Sequence, residues 1–180
     1  MIDLGANCGN SYEHFKNSID EAFLIEPQHS VYTTWLIPRA SSHVHVYQAV
    51  VSDHDEDSVP FFIDVPFGSE LCSFDRGYPH GASSLYKDKA TVDTRSPTQQ
   101  SVEMIDIARF ITDIVKPRPV DHVIVKIDIE GSETAVLKRM IDTQTINLVD
   151  SFYVEWHPGT EEFRREFEKQ TDINYQEWML

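Results

Sequence analysis

Four short segments of the sequence carry side chains whose types and spacing could do chemistry. The first, DLGANCG at 3–9, places two glycines where an apolar run gives way to an amphipathic one. Glycine at a strand-to-helix turn lets a ligand approach the backbone, and a helix N-terminus offers N–H groups to an anion. The dinucleotide pattern G-x-G-x-x-G fails here, because positions 7 and 10 are asparagines. Alone, this turn is equally consistent with a ligand site and with tight packing.

The second segment is AFLIEP at 22–27, in which Glu26 ends an apolar run. In doubly wound α/β folds a carboxylate about 20 residues after the glycine turn accepts hydrogen bonds from ribose hydroxyls. Glu26 could instead be an exposed residue at a strand end. Together with the glycine turn, its position favours ribose binding.

The third segment is VKIDIEGSE at 125–133. Asp128 and Glu130 follow the carboxyl end of a predicted central strand, where open α/β sheets bind ligands. Two carboxylates there could orient a cation or act as a general base. Glu130 and Ser132 could also be helix-capping residues.

The fourth segment is VEWH at 154–157, again at a predicted strand end. His157 could titrate near neutral pH, and its neighbours Glu155 and Trp156 favour a place in the pocket over a purely structural role. Lys126, in the middle of its strand, is expected to be a partly buried counter-ion of Asp128 or Glu155.

The elements that must position these side chains alternate between apolar runs and amphipathic segments, as in an α/β fold. Predicted strands cover 1–4, 22–25, 43–51, 59–65, 123–129 and 151–156, with a last edge strand in 173–180. Predicted helices cover 10–19, 29–37, 104–115, 133–141 and 160–170. The charged stretch 53–57 is expected to be a solvated loop tip.

The stretch around 66–97 is rich in Gly, Ser, Pro and aromatic residues and carries no predicted regular structure. Long irregular segments inside compact domains are often lids or binding loops. We therefore expect this loop to shape a substrate pocket. Its candidate contacts are Tyr78, His80, Ser83, Ser84 and Tyr86.

Composition narrows the function classes. The 180 residues are enough for one α/β domain, expected at 1–180. A net charge of −15 repels phosphate backbones and makes nucleic acid a poor substrate. No apolar run approaches the ~20 residues that span a bilayer, and no signal segment opens the chain, so we expect a cytoplasmic protein. Cys8 and Cys72 lack metal-ligand spacing and are expected to be reduced thiols in a reducing compartment.

The chain resembles the FkbM-type methyltransferases, a family of S-adenosylmethionine-dependent class I methyltransferases. The matching blocks, in the family's order, are DLGANCGNS, AFLIEP, GASSL, VEMIDIARFI, VKIDIEGSE with ETAVLKRM, and VEWH. VKIDIEGSE is the most specific of them. The resemblance implies a Rossmann-like fold, with a central, mostly parallel sheet flanked by helices. Members typically methylate hydroxyl groups of sugars, glycolipids or polyketides.

The chain departs from the family at both ends. It begins on the first strand and is short for the final strand pair of a seven-stranded sheet. A minimal domain, an excised domain and a domain completed by homodimerisation would all have this appearance.

The resemblance also implies roles for individual residues. Asp3, Gly5, Asn7 and Gly9 would line the methionine side of the cofactor, Glu26 would hold the ribose, Ala49 and Val50 would lie near the adenine, and Asp128 would lie close to the transferred methyl group.

Methyl transfer from a sulfonium to a hydroxyl requires alignment of the reacting atoms and removal of the hydroxyl proton. The candidate bases are Asp128, Glu130, Glu155 and His157, and we expect His157 or Asp128 to take this role. A Mg²⁺ ion on carboxylates such as Asp128 and Glu155 could lower the pKa of the hydroxyl instead, but this is not favoured and no metal site is predicted.

Three other functions stay open. A nicotinamide-dependent oxidoreductase is disfavoured by the failed dinucleotide pattern. A methyltransferase acting on nitrogen or on a carboxylate is consistent with the same motifs. A non-catalytic cofactor-binding module of a larger glycan-modifying protein is the third. The expected partner is a small-molecule or glycan hydroxyl acceptor.

Overall fold

The computed structural model describes residues 1–63, 83–87, 98–170 and 173–178. The strands are β1 (Ile2–Leu4), β2 (Ala22–Ile25), β3 (Val44–Tyr47), β4 (Ala49–Ser52), β5 (Glu56–Ile63), β6 (Thr98–Asp106), β7 (Ile124–Ile127), β8 (Ser151–Val154) and β9 (Tyr175–Glu177). The α-helices are α1 (Asn10–Phe15), α2 (His29–Val31), α3 (Ile107–Val115), α4 (Glu133–Asp142) and α5 (Glu161–Gln170).

The central sheet has six strands in the order β3-β2-β1-β7-β8-β9, and every neighbouring pair is parallel. The first strand lies in the middle, where Leu4 is in register with Ile25 on one side and Ile127 on the other. The chain therefore winds outward in one direction from β1 and later returns to its other side, which creates a topological switch point. This architecture confirms the expected Rossmann-like α/β fold.

The core explains why these strands are almost wholly apolar. A parallel sheet is covered by helices on both faces, so its strands are buried on both sides. Val125, Ile127 and Phe152 are completely buried, and α3 and α4 pack their apolar sides over them with Ile111 and Leu137. Among the described residues, no helix combines the length and apolar character needed to cross a bilayer.

A second, three-stranded sheet has the order β4-β6-β5, with β6 parallel to β4 and antiparallel to β5. The single strand predicted over 43–51 is therefore wrong. Gln48 separates two strands, because Val44–Tyr47 pairs with β2 while Ala49–Ser52 pairs with β6. The expected extra strand over 59–65 is present as β5, but it begins at Glu56, so the last two residues of the charged stretch 53–57 belong to this strand and not to a loop tip. Residues 64 and 65 lie outside the described residues.

Three predicted helices also differ from the structure. The helix over 10–19 is shorter than expected, because α1 ends at Phe15. The helix over 104–115 begins only at Ile107, because the preceding residues complete β6 and Asp106 caps the helix by accepting the Ala108 N–H at 2.8 Å. The helix over 29–37 is divided into α2, a π-helical turn (Tyr32–Leu36) and a 3-10 turn (Ile37–Arg39).

Candidate active site

A cavity lies where the carboxyl ends of β1, β2 and β7 meet the start of β4. The switch point of a parallel sheet is where small-molecule sites form. Six of the predicted cofactor-binding residues line this cavity: Gly5, Asn7, Glu26, Ala49, Val50 and Asp128.

The glycine turn forms one side of the cavity. Gly5 has a φ of +76°, and its N–H and that of Ala6 both donate to the Ile25 carbonyl, at 3.1 and 2.9 Å. A Cβ atom at Gly5 would lie only 1.8 Å from the Asp128 carbonyl oxygen. Glycine is therefore required here because the turn after β1 touches the end of β7.

Glu26 projects from the end of β2 and is only 7% exposed. One carboxylate oxygen accepts the Asn7 N–H at 2.9 Å, and the other accepts the Gln28 N–H at 2.8 Å. Burial raises the pKa of Glu26 to about 7, although these two hydrogen bonds act in the opposite direction. Each oxygen can accept a further hydrogen bond, so the carboxylate can accept hydrogen bonds from two neighbouring hydroxyl groups.

Asp3 and Gly9 support the turn from outside the cavity lining. Asp3 is completely buried and accepts a hydrogen bond from the Ser11 hydroxyl. Gly9 has a φ of +81° at the start of α1, and the Arg39 side chain covers it. These two predicted cofactor residues therefore shape the turn that a ligand would meet.

Lys126 is a buried cation directly beneath the cavity. Its ammonium lies 3.1 Å from an Asp128 oxygen and 3.3 Å from an Asp3 oxygen, and it donates to the Gly5 carbonyl at 2.7 Å. Burial alone would lower the pKa of Lys126. The attraction of the two carboxylates is stronger than this effect, and the pKa of Lys126 is raised. The expected pairing of Lys126 with Asp128 is present, and Asp3 is an additional partner.

All four predicted catalytic side chains meet beside the cavity. The imidazole Nε2 of His157 lies 3.1 Å from Glu130 Oε2 and 3.9 Å from both Asp128 Oδ1 and Glu155 Oε1. We call these four residues the His157 cluster. Burial, and then the charge of Asp128, raises the pKa of Glu155. Since Asp128 belongs to both the cavity lining and the cluster, the two are continuous.

The His157 cluster can accept a proton or hold a cation. Asp128, Glu130 and His157 each offer a ligand atom, and these atoms lie within 4.8 Å of one another. This donor set of two carboxylates and one imidazole suits a divalent metal, and the same groups suit a general base.

A family model described as a methyltransferase FkbM domain matches residues 3–176. The chain belongs to the FkbM methyltransferase family. No curated protein and no solved structure matches the chain significantly. Membership indicates a methyltransferase.

Part of the predicted substrate loop lies against this site in the FkbM domain. The Ser83 hydroxyl donates to the Gln28 side-chain oxygen at 3.1 Å, and the Ser84 hydroxyl donates to the Glu130 carbonyl at 2.8 Å. The ring of Tyr86 lies over Gly131, although half of the side chain is exposed. The other two candidate contacts, Tyr78 and His80, fall outside the described residues.

Sequence reasoning missed several residues of the site. Gln28, Phe61 and Leu85 line the cavity, and Glu133 is fully buried against His157. Gln28 could have been found from its place two residues after Glu26. Phe61 gave no local signal, because only the pairing of β5 in the second sheet brings it over the cavity.

The expectation for the cysteines is wrong at the one that the structure describes. Cys8, inside the glycine turn, is disulfide-bonded. Local spacing does not reveal a disulfide, because pairing depends on which distant segments the fold brings together. The disulfide removes the cysteine-based argument for a reducing compartment. Cys72 lies outside the described residues.

Proposed function

We propose that this FkbM domain is an S-adenosylmethionine-dependent O-methyltransferase that acts on a hydroxyl of a sugar, glycan or similar small molecule. The observation that carries the proposal is the continuity between the cavity at Glu26 and the His157 cluster through Asp128. A cofactor site and a proton acceptor must adjoin for this reaction, because donor and acceptor react directly with each other.

The cavity offers a chemically matched partner for each part of the cofactor. The Glu26 carboxylate would accept hydrogen bonds from the two ribose hydroxyls. Ala49 and Val50, with the ring of Phe61, supply apolar surface for the adenine. The turn at Gly5 would contact the methionine portion, which carries the reactive sulfonium toward Asp128.

In the reaction, the acceptor oxygen forms a bond to the methyl carbon while the carbon–sulfur bond breaks, and the sulfur keeps the electron pair. The hydroxyl proton must leave to a base near the acceptor. His157 and Asp128 are the candidates within the His157 cluster. His157 is the better one, because Asp128 already engages the Lys126 ammonium at 3.1 Å.

The charge of the His157 cluster bears on the acceptor. Three carboxylates, those of Asp128, Glu130 and Glu155, surround the imidazole. An anionic acceptor would be repelled there, which argues against methylation of a carboxylate. A neutral hydroxyl meets no such repulsion and can donate its hydrogen bond to any of these oxygens.

The test is a screen of glycans, glycosides and amines with S-adenosylmethionine, read as a mass gain of one methyl group and release of S-adenosylhomocysteine. Parallel reactions with added Mg²⁺ and with a chelator test for metal dependence. We expect transfer to a hydroxyl, and loss of turnover in His157→Ala with cofactor binding retained. Transfer only to amines, or near-wild-type turnover in both His157→Ala and Asp128→Asn, would contradict the proposal.

A further inference from the structure

Glu133 is a buried carboxylate that the proposed mechanism does not use. It is the first residue of α4 and is completely buried. Its Oε1 accepts the Gly131 N–H at 3.1 Å and the Ile129 N–H at 3.3 Å, and it lies 2.8 Å from Nδ1 of His157. This carboxylate thus connects the turn after β7 to His157, in the segment that follows β8.

Two carboxylates compete for the proton of the His157 ring: Glu133 lies 2.8 Å from Nδ1 and Glu130 lies 3.1 Å from Nε2. An ionised carboxylate can only accept hydrogen bonds, and a neutral imidazole has one N–H, so only one of the two contacts can be a hydrogen bond. The shorter contact, to the completely buried Glu133, favours Nδ1 as the donor. In a neutral imidazole the other nitrogen, Nε2, then has the lone pair. Nε2 is the atom that lies 3.1 Å from Glu130 and 3.9 Å from Asp128, on the side of the cavity.

We infer that Glu133 is a positioning residue for methyl transfer: by accepting a hydrogen bond from the Nδ1–H group of His157, it presents Nε2 to the acceptor hydroxyl as the base. The catalytic consequence rests on the function proposed above. As the oxygen–methyl bond forms and the sulfur–methyl bond breaks, the hydroxyl proton moves to Nε2. Glu133 stabilises the imidazolium that results, as a carboxylate does for a histidine base in other enzymes.

A purely structural role for Glu133 makes a different prediction, and the chain contains a matched control. Glu161 is the first residue of α5 and accepts the Gly159 N–H at 3.1 Å, the same two-residue contact that Glu133 makes with Gly131. If Glu133 served only to close its turn, the Glu133→Gln and Glu161→Gln variants would affect the histidine ring equally little.

The direct measurement is ¹⁵N NMR of histidine-labelled full-length chain, at a pH high enough to make the ring neutral. The His157 signal is assigned by its loss in His157→Gln. We expect the proton on Nδ1 in the wild type. In Glu133→Gln we expect the tautomer ratio to move about tenfold toward Nε2–H, because a hydrogen bond to a charged group is lost. Glu161→Gln should match the wild type.

Two results would overturn the inference: a wild-type neutral ring with its proton on Nε2, or an unchanged tautomer ratio in a folded Glu133→Gln variant. If circular dichroism shows that this variant does not fold, the wild-type tautomer alone decides.

A kinetic arm separates this inference from the proposed function. Once an acceptor is identified, Glu133→Gln should lower kcat by about tenfold with the KM for S-adenosylmethionine unchanged, because the fraction of molecules that present an unprotonated Nε2 falls by about that factor. An unchanged kcat would refute the role of Glu133 and leave the methyltransferase proposal intact. If the wild type failed to bind S-adenosylmethionine, the proposed function would fall while the tautomer result would stand.

Discussion

Glu26 gives the sharpest quantitative prediction, because its ionisation and ligand binding should be linked. Its pKa is raised to about 7 in the unliganded protein, and only the carboxylate form can accept from both ribose hydroxyls. About nine-tenths of the molecules are then ionised at pH 8 and about one-tenth at pH 6. Because the apparent affinity scales with the competent fraction, the dissociation constant should rise about tenfold, or ~1.4 kcal/mol, between pH 8 and pH 6.

Calorimetric titration with adenosine is the appropriate assay, since adenosine contains the ribose and lacks the titratable amino group of the full cofactor. Glu26→Gln should bind adenosine at least about tenfold more weakly at pH 8, because it loses charge-assisted hydrogen bonds. It should also lose the pH dependence. Glu103→Gln, which alters an exposed residue of β6, is the matched control. A pH-independent wild-type affinity, or the same pH slope in Glu26→Gln, would refute the reasoning.

The same group should also affect stability, with a sign set by its raised pKa. The folded-state pKa of Glu26, about 7, lies above the reference value of 4.5. Burial of the Glu26 charge therefore leaves the free energy of unfolding unchanged below pH 4.5 and lowers it progressively as the pH rises from 4.5 to 7. Above pH 7 this loss of stability stays near a constant ~3 kcal/mol. Urea unfolding should show Glu26→Gln gaining stability relative to the wild type over this range. A constant stability difference would contradict the assignment.

Three further predictions concern the residues that hold the site together. Gly5→Ala should destabilise the fold by several kcal/mol, read by urea unfolding, because the new Cβ would lie 1.8 Å from the Asp128 carbonyl oxygen; a change below about 0.5 kcal/mol would be inconsistent with that contact. Lys126→Met should lower the free energy of unfolding by ~3–5 kcal/mol at pH 7 and by less at pH 4, because it leaves buried carboxylates without their cation. An equal loss of stability at both pH values would argue against the ion pair. Asp106→Ala should lower the free energy of unfolding by ~1–2 kcal/mol, because the cap of α3 is lost. Asp106→Asn should keep the cap and lose only the ion pair with Arg139, in which the two side chains are 2.6 Å apart. Equal losses of stability in both variants would show that the cap contributes nothing.

The sequence was sufficient to predict the central sheet and the edge of that sheet at which the cavity lies. Apolar runs such as 22–25 and 123–129 are typical of strands buried on both faces. Parallel strands end at the same edge, so the polar residues that follow them gather there. This is why Glu26, Asp128 and His157 could be placed near one another without a structure.

The rest depends on long-range pairing that local patterns do not encode. Gln48 breaks a continuous β-like run only because the residues on its two sides pair with different sheets. Asp106 is the last residue of β6, although the spacing of apolar residues over 104–115 predicted a helix. Pairing with β4 places the residues up to Asp106 in a strand despite their local helical pattern. The disulfide at Cys8 and the burial of Glu133 against His157 likewise depend on which distant segments meet.

The most direct test of the central claim is a crystal structure of the protein with S-adenosylhomocysteine. We predict that the ribose hydroxyls lie within hydrogen-bond distance of the Glu26 carboxylate, and that the sulfur lies beside Asp128 and faces the His157 cluster. Binding at another surface, or a sulfur turned away from that cluster, would contradict the account.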